Sequence, residues 1–438
     1  MNKQLHLLFI TYYWPPAGGP GVQRPLKFVR YCHLAGAKVT VITVDEKQAS
    51  YAVTDPSLLN EIPSQVRVVR TPTFEPFEIY RKITGRKQIP HSGFANESKS
   101  GFLEKVMRFI RGNFFIPDPR KGWNSHLIKA ALSEIKRDNI DVIIVSSPPH
   151  STQLAGLKLK ELTGLPLIAD LRDPWTDIYY YNQLLHTKLA SSIDRKLELK
   201  LLSRADAVIT VSAALKRLFL SKSGILNEKA FYVIPNGFDH SDMETLPSIR
   251  RDKFEIAYTG TMSEDYPIEA FAKSISELVA MNPLIPLHIQ FTGSISEKQR
   301  VSLLENGLLQ FCTFDSYIPH REALNVMSQA TVLLLVIPDI SNNQGILTGK
   351  LFEYIGVKRR ILALGPLDGD AAQILRETSA GEMFNYNDKD GIAGFLKREY
   401  EAWKQNELFQ PRDEKINIYS RRYQAETLLE IAKGLRKG

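Results

Sequence analysis

Short, almost continuous apolar runs alternate along this chain with longer amphipathic stretches, and this alternation constrains the fold more than any other feature. The runs in the first half, which predict strands, are residues 5–11, 38–43, 141–146, 166–170 and 207–211. Helical patterns separate them at residues 22–35, 153–163 and 193–204. Continuous β-branched hydrophobicity is typical of parallel strands buried on both faces. Repeated strand–helix–strand units therefore predict an open parallel sheet with right-handed crossovers.

The alternation pauses at residues 233–251, where Ile234–Gly237 has turn chemistry and polar residues follow. It then restarts, with predicted strands at residues 254–258, 288–292, 313–317, 331–337 and 360–364. We therefore predict an α/β fold with two Rossmann-like domains, residues 1–235 and 250–415, facing each other across a cleft. Residues 416–438 are predicted to form a basic terminal helix.

Composition excludes several classes of protein. Hydrophobic residues make up 43% and charged residues 24% of the chain, which is too apolar for a disordered protein. Cys32 and Cys312 are the only cysteines, so a disulfide framework is excluded and a reducing cytoplasm is the expected setting. His6 interrupts the first apolar run, and the sequence offers neither a signal-peptide cleavage site nor a membrane-spanning stretch.

The chain is basic, with a net charge of +8 and a pI of about 9.1. Residues 72–124 lack the strand–helix alternation, and a loop of this length is usually functional. Residues 81–125 hold ten basic against three acidic side chains, and residues 101–116 are amphipathic. A helix of this kind either lies in an anionic membrane interface or packs its apolar face on the domain. The sequence leaves both readings open.

The loop after the first predicted strand is rich in glycine and leads into a helix. Backbone amides at such a helix start attract an anion such as a diphosphate, so Gly18, Gly19 and Arg24 are candidates for binding such a ligand, and Trp14 is a candidate contact for a second substrate. Arg24 occupies the place of the third glycine in a dinucleotide-binding fingerprint, which makes that match poor. The alternative is a strand–helix loop that needs glycine for its conformation.

A second polar cluster follows the strand at residues 166–170. Ligands bind at the carboxyl ends of strands in open α/β sheets, so Asp173 and Arg172 are catalytic candidates, and Trp175 and Asp177 are candidate contacts for the same second substrate as Trp14. His150 follows the neighbouring predicted strand and is a third catalytic candidate. An Arg–Asp pair that only fixes the loop, and a histidine that only forms structural hydrogen bonds, are the alternatives.

The third cluster is the polar loop and helix at residues 341–356. The amides near Leu347 are predicted to point at an anion, and Lys350 adds a positive charge suited to phosphate. Glu353 lies one helical turn later, where a carboxylate can accept hydrogen bonds from ribose hydroxyls.

Four further segments complete the pattern: ADAVITVS from Ala205, VIPNGFD from Val233, YTGT from Tyr258 and KLFEYIGVKRRILALG from Lys350. In order and spacing, over nearly the whole chain, they resemble a retaining glycosyltransferase of the GT-B fold, family-4-like, and most closely those that build bacterial surface polysaccharides. The resemblance implies a UDP- or GDP-linked sugar bound by the second domain and an acceptor bound by the first. It also implies a terminal helix that crosses back to the first domain, and no metal or other cofactor.

The resemblance assigns roles to single positions and also exposes departures. Glu353 matches the second acid of the family's Glu-x7-Glu signature, which binds ribose, and the backbone of Ile318 matches the contact with the base. The first acid of that signature is replaced by Gly345, and Thr261 stands after Gly260 where the family has arginine. The complete predicted donor set is Gly18, Gly19, Arg24, Gly260, Thr261, Ile318, Gly345, Ile346, Leu347, Thr348, Lys350 and Glu353.

Together these features predict an enzyme that transfers a sugar from a nucleotide sugar, with UDP favoured, to a glycan or polyprenyl-linked acceptor. The expected location is the cytoplasm, with peripheral contact at the inner face of the cell membrane. A nucleotide-sugar epimerase, a nicotinamide-dependent dehydrogenase using Asp45, and a non-catalytic paralogue acting as a partner protein are the alternatives. Nucleic acid is not an expected partner, because the basic segment carries no known recognition module.

Overall fold

The computed structural model describes residues 4–75, 102–178, 180–224, 226–407, 409 and 413–436. The chain forms two compact units. The first contains residues 1–235 and 424–438, and the second contains residues 236–423. Each unit is built around one parallel sheet with helices on both faces, which confirms the predicted α/β class.

The first unit contains a seven-stranded sheet in the order β3-β2-β1-β4-β5-β6-β7, and every neighbouring pair is parallel. The strands are β1 (His6–Thr11), β2 (Lys38–Val44), β3 (Arg67–Thr71), β4 (Val142–Ser147), β5 (Leu167–Leu171), β6 (Ala207–Thr210) and β7 (Phe231–Val233). β1, β4, β5 and β6 are buried along their whole length because helices cover both faces. Their continuous hydrophobicity follows from that burial.

Within the described residues, the first unit has six helices before the chain enters the second unit, and a seventh comes from the end of the chain. The six are α1 (Pro20–Leu34), α2 (Phe102–Phe114), α3 (Asn124–Arg137), α4 (Ser151–Thr163), α5 (Lys188–Arg204) and α6 (Ala213–Ser221). Gly156 of α4 packs against β4 so closely that a Cβ atom there would lie 2.6 Å from a methyl carbon of Val145. A side chain at this position would push the helix off the sheet.

The second unit contains a six-stranded parallel sheet in the order β10-β9-β8-β11-β12-β13. The strands are β8 (Phe254–Thr259), β9 (Leu287–Thr292), β10 (Cys312–Asp315), β11 (Val332–Val336), β12 (Arg360–Leu364) and β13 (Gly381–Phe384). The helices are α7 (His240–Met243), α8 (Glu269–Met281), α9 (Glu297–Glu305), α10 (His320–Gln329), α11 (Gly349–Gly356), α12 (Asp370–Thr378), α13 (Lys389–Lys404) and α14 (Asp413–Asn417). Two apolar clusters, one on each side of the sheet, form its core.

The terminal helix α15 (Arg421–Leu435) belongs largely to the first unit. Ala425, Leu428, Leu429 and Ala432 are buried in the same apolar cluster as residues of α1, β1 and β2. Ionic contact adds to this packing, since Arg436 lies 3.3 Å from the carboxylate of Asp141. The chain therefore returns to its first unit after building the second, as predicted.

The predicted insertion at residues 72–124 is described only in part. Residues 76–101 lie outside the described residues, and with them the basic side chains of Arg81, Lys82, Arg86, Lys87 and Lys99. The amphipathic pattern that follows does form a helix, α2. None of the helices in the described ranges is long and apolar enough to cross a membrane.

Candidate functional site

The second sheet reverses its direction of growth between β8 and β11. The chain runs from β8 outward to β9 and β10, and from β11 outward to β12 and β13 on the other side. Ligands of open α/β sheets bind at the carboxyl ends of the strands at such a reversal. The residues that follow β8 and β11, beginning at Gly260 and Ile337, therefore form the candidate donor site of this unit.

Lys350 lies at this point of the sheet. Its ammonium group donates a hydrogen bond to the Tyr258 hydroxyl and sits 4.1 Å from the centroid of the same ring. Gly260 has a φ of +106°, and a Cβ atom there would lie 3.0 Å from the Lys350 Cε. Burial lowers the pKa of Lys350 to about 8, while the nearby carboxylate of Glu353 opposes this shift. The site thus holds a partly desolvated positive charge that an anionic ligand would stabilise.

The first turn of α11 adds backbone donors to the same edge. No side chain caps this helix, although Thr348 occupies the capping position in an extended conformation. The Thr348 hydroxyl is enclosed and has no hydrogen-bond partner in the described part of the chain. Gly349 is exposed, and the preceding residues Gly345 and Leu347 are partly exposed. Uncapped amides at a helix N-terminus attract anions.

Glu353 faces His320, which the sequence analysis did not identify. The His320 Nε2 lies 2.9 Å from the Glu353 Oε1, and both side chains are partly exposed. His320 begins α10 two residues after Ile318, so this contact joins the segment after β10 to helix α11. The only feature of the sequence that could have pointed to His320 is its position after a strand and a proline. The carboxylate keeps one oxygen for a ligand hydroxyl.

The first sheet reverses in the same way between β1 and β4. Arg172 joins the segments at this point, because its guanidinium donates to the backbone oxygen of Ser147 at 2.9 Å and of Gly21 at 2.7 Å. Burial lowers the pKa of Arg172. Each of these bonds ends on backbone, so the role that the structure gives Arg172 is to hold the loops after β1, β4 and β5 in place.

Asp173 stands beside Arg172 and is partly exposed. Within the described residues its carboxylate accepts no hydrogen bond from the protein. Burial raises the pKa of Asp173, and the positive charge of Arg172 opposes the rise. A carboxylate that is accessible and not engaged by the protein is suited to contact a polar ligand.

His150 ends the loop after β4 and stacks on Trp175, with ring centroids 4.8 Å apart and planes 9° from parallel. Its Nδ1 is enclosed and has no partner in the described ranges. Burial lowers the pKa of His150 to about 4, so the ring is neutral at pH 7.

A buried acidic network supports this loop from α5. The Asp194 carboxylate accepts hydrogen bonds from the Trp175 indole at 2.8 Å and from the Tyr181 hydroxyl at 2.9 Å. Burial raises the pKa of Asp194 to about 6. Glu198, one turn further along, accepts from Lys222 at 2.8 Å. Neither acid was identified from the sequence, because a helix acid looks like a solvated surface residue when its distant partners are unknown.

Three predicted ligand contacts need correction. Arg24 is only 1% exposed, because its guanidinium forms a bidentate ion pair with Asp170, from Nη2 to Oδ1 at 2.8 Å and from Nε to Oδ2 at 3.1 Å, and also donates to the Pro235 carbonyl. Trp14 is fully buried and Trp175 is 2% exposed. These side chains hold the first unit together and do not present themselves to a ligand.

The remaining predicted residues of the first unit stay near its reversal point. Gly18 donates to the Val53 carbonyl at 2.8 Å, and Gly19 precedes α1 with a φ of +82°, a conformation that glycine adopts without strain. Asp177 is exposed and forms an ion pair with Lys222. Among the described residues, no group of histidine, cysteine and acidic side chains is placed to hold a metal ion.

Part of the chain matches a known protein family. Residues 65–242 match the model of Glycosyltransferase Family 4. This segment is similar to family 4 glycosyltransferases, and the match covers less than half of the chain. The comparison with curated proteins yields no match.

Solved structures of glycosyltransferases share the fold of the whole chain. A glycosyltransferase from Rickettsia africae is 13% identical with a TM-score of 0.59, and the match covers 99% of this chain and 98% of that one. A sucrose-phosphate synthase from Thermosynechococcus elongatus is 14% identical with a TM-score of 0.59, covering 99% of both chains. The Anabaena protein HepE in complex with UDP-glucose is 11% identical with a TM-score of 0.56, covering 98% and 100%. The shared architecture is the two-domain GT-B fold.

Proposed function

We propose that this protein transfers a sugar from a nucleoside diphosphate sugar to a glycan or lipid-linked acceptor, with retention of the anomeric configuration. The second unit binds the donor and the first unit binds the acceptor. The biological product is a bacterial surface polysaccharide. The family 4 match at residues 65–242 and the GT-B fold support the general reaction, and the residues at the two reversal points support the division of roles.

The placement of Lys350 carries the proposal. Its ammonium group is held against Gly260 and the Tyr258 ring, beside the uncapped first turn of α11. A departing diphosphate needs positive charge where its own negative charge develops, and preorganised donors in a partly desolvated site meet that need. Lys350 thus takes the place of the arginine that Thr261 replaces in the family pattern.

The other donor residues surround the nucleotide in this proposal. Glu353 accepts hydrogen bonds from the ribose hydroxyls, with His320 fixing its orientation. The backbone of Ile318 meets the base, and the amides from Gly345 to Thr348 approach the phosphates and the sugar. We propose that no metal ion takes part, since Lys350 and the amides of α11 supply the positive charge. A UDP-linked donor is favoured by the UDP-glucose bound to HepE.

In the first unit, Asp173 is the proposed catalytic carboxylate. The acceptor hydroxyl attacks the anomeric carbon as the bond to the diphosphate breaks, and the transition state is oxocarbenium-like. A free carboxylate stabilises that positive charge or accepts the hydroxyl proton. Arg172 is a positioning residue, because its bonds to Gly21 and Ser147 fix the loop that carries Asp173.

A panel of nucleotide sugars tests the donor site. UDP- and GDP-linked sugars are added to the full chain and the melting temperature is recorded, because a ligand that binds the folded state raises it. Glu353→Ala is expected to abolish the shift. Glu305→Ala, which removes an exposed acid from α9 of the same unit, is the matched control and is expected to keep it. An unchanged shift in Glu353→Ala would show that the donor site lies elsewhere.

Product analysis separates the proposed reaction from its alternatives. A transferase releases nucleoside diphosphate only when an acceptor is present, and proton NMR of the product shows whether the configuration is retained. A nucleotide-sugar epimerase would change the donor without any acceptor. A non-catalytic paralogue would bind the donor and release nothing. Either of these outcomes contradicts the proposal.

A further inference from the structure

A groove on the surface of the first unit shares none of its lining residues with the candidate residues at the two reversal points. It has a volume of about 760 Å³ and is lined by the short turn at residues 181–184, the loop after it and the outer face of α5. We call it the α5 groove. Three basic side chains line it: Lys188, Arg195 and Lys196.

The acidic side chains of α5 are buried inside the unit, whereas the basic side chains that line the groove are exposed. The two acids, Asp194 and Glu198, are 2% and 1% exposed and are bonded to groups inside the unit. The three basic residues of the groove are exposed and have no ion-pair partner in the described ranges. The outward face of the helix is therefore uniformly positive at this place, which suits an anionic surface.

Apolar side chains border the same positive face. Leu189 is 71% exposed, Ile193 41% and Leu185 45%. Leu189 and Ile193 are four residues apart and lie on one side of α5, next to the basic stripe. Soluble proteins rarely leave several large aliphatic side chains so exposed together without a partner surface.

Helix α2 docks on the loop that forms one wall of the groove. Asn113 donates to the Leu185 carbonyl at 3.1 Å and accepts from the Thr187 amide at 2.7 Å. Gly112 packs so closely on residue 184 that a Cβ atom would lie 2.2 Å from the carbonyl oxygen of Leu184. Two aromatic side chains of α2 are exposed as well, Phe109 by 42% and Phe114 by 66%.

From these observations we infer that the α5 groove binds the phosphate headgroup of an anionic phospholipid, while the neighbouring aliphatic side chains enter the edge of the acyl layer. Basic residues beside exposed aliphatic and aromatic ones are the pattern of interfacial binding. The inference deepens the proposed lipid-linked acceptor and rests on that part of the proposed function. His186 adds an enclosed ring nitrogen, Nδ1, that has no partner within the described residues of the groove wall.

Sedimentation with phospholipid vesicles tests the groove. The full chain is mixed with vesicles of phosphatidylcholine alone or with about one third phosphatidylglycerol, and binding is expected only to the second. The double variant Arg195→Gln/Lys196→Gln is expected to weaken this binding about 30-fold, since each basic residue near an anionic surface contributes about fivefold.

The matched control removes two charges from the same helix outside the groove. Lys200 and Arg204 both pair with Glu161, so Lys200→Gln/Arg204→Gln changes the net charge equally but leaves the groove intact. It is expected to bind within about threefold of the unaltered chain. Equal losses in the two double variants would show an effect of net charge alone and overturn the groove as a site.

Two further outcomes are decisive. Leu189→Ser/Ile193→Ser is expected to reduce vesicle binding at high salt, where the charge contribution is screened. If that variant instead turns a dimer into a monomer and binds vesicles normally, the surface is an interface between copies of the chain and the inference fails. If inorganic phosphate raises the melting temperature through the groove residues but vesicles do not bind, the site takes free phosphate and the lipid is excluded.

The donor experiment separates this inference from the proposed function. A chain that responds to nucleotide sugars but ignores anionic vesicles would overturn the inference and leave the transferase proposal standing. A chain that binds vesicles through the groove but shows no response to any donor would overturn the transferase proposal and leave the vesicle-binding site standing.

Discussion

At the scale of single residues, Lys350 is the group whose charge we propose to be decisive for donor binding. We predict that Lys350→Gln weakens the affinity for UDP about 10- to 100-fold, because a charge-assisted hydrogen bond to phosphate is lost. Lys404→Gln, an exposed lysine of the same unit that pairs with Glu401, is expected to change nothing. Isothermal titration with UDP measures both. Equal affinities for all three proteins would remove Lys350 from the site.

The lowered pKa of Lys350 makes the same interaction sensitive to pH. With a pKa of about 8, the ammonium group loses its proton as the pH rises from 7 to 9. UDP affinity is expected to fall by up to about tenfold over this range in the unaltered chain. Lys350→Gln is expected to show a flat profile, and a similar fall in that variant would assign the titration to another group.

Asp194 is predicted to make stability depend on pH. Burial raises its pKa from 3.8 to about 6, so the unfolded chain ionises first as the pH rises from about 4 to 6. The free energy of unfolding therefore falls over this window, by up to about 3 kcal/mol from this group. Asp194→Asn is expected to lack this part of the slope in urea unfolding at a series of pH values. An unchanged slope would contradict the assignment.

The sequence singles out candidate residues by their position after a strand, but it does not show which side chains meet distant partners. Lys350 and Glu353 follow from a polar loop that leads into a helix after an apolar strand. Arg24 was misread, because its partner Asp170 is 146 residues away and the pair buries both charges. His320 was missed for the same reason, since its contact with Glu353 spans 33 residues.

At the scale of elements, the burial of a strand determines whether its sequence carries a recognisable hydrophobic pattern. The strands that were not predicted are β3, β7 and β13, and each lies at the edge of its sheet. Edge strands are covered incompletely, so β3 carries two arginines and β7 exposes two of its three residues. Their sequences therefore lack the continuous hydrophobicity that marked the central strands.

The terminal helix supports a prediction about element packing. Leu428 of α15 is fully buried in the core of the first unit, so Leu428→Ala is expected to lower the free energy of unfolding by about 2–5 kcal/mol. Glu430→Ala, on the exposed side of the same helix, is expected to change it by less than about 0.5 kcal/mol. Thermal unfolding followed by circular dichroism compares them. A small effect of Leu428→Ala would show that the helix is not part of that core.

At the scale of the whole molecule, the two units repeat one plan with different chemistry. Each sheet reverses its growth once, and each reversal point gathers polar groups at the carboxyl ends of its strands. The second unit gathers a lysine, uncapped amides and a carboxylate, which suit a nucleoside diphosphate. The first gathers Arg172, Asp173 and His150, which suit a hydroxylated acceptor. Strand order and periodicity made this plan predictable. The identity of the sugar is not predictable in the same way, because the family pattern is broken at Gly345.

Donor binding by the second unit is the claim on which the account depends most. The most direct measurement is a titration of the full chain with UDP-sugars, with Lys350→Gln and Glu353→Ala run in parallel. The account predicts saturable binding at one site, a marked loss of affinity in both variants, and UDP release that requires an acceptor. A folded protein that binds neither UDP- nor GDP-sugars, or that binds them equally well in both variants, would contradict it.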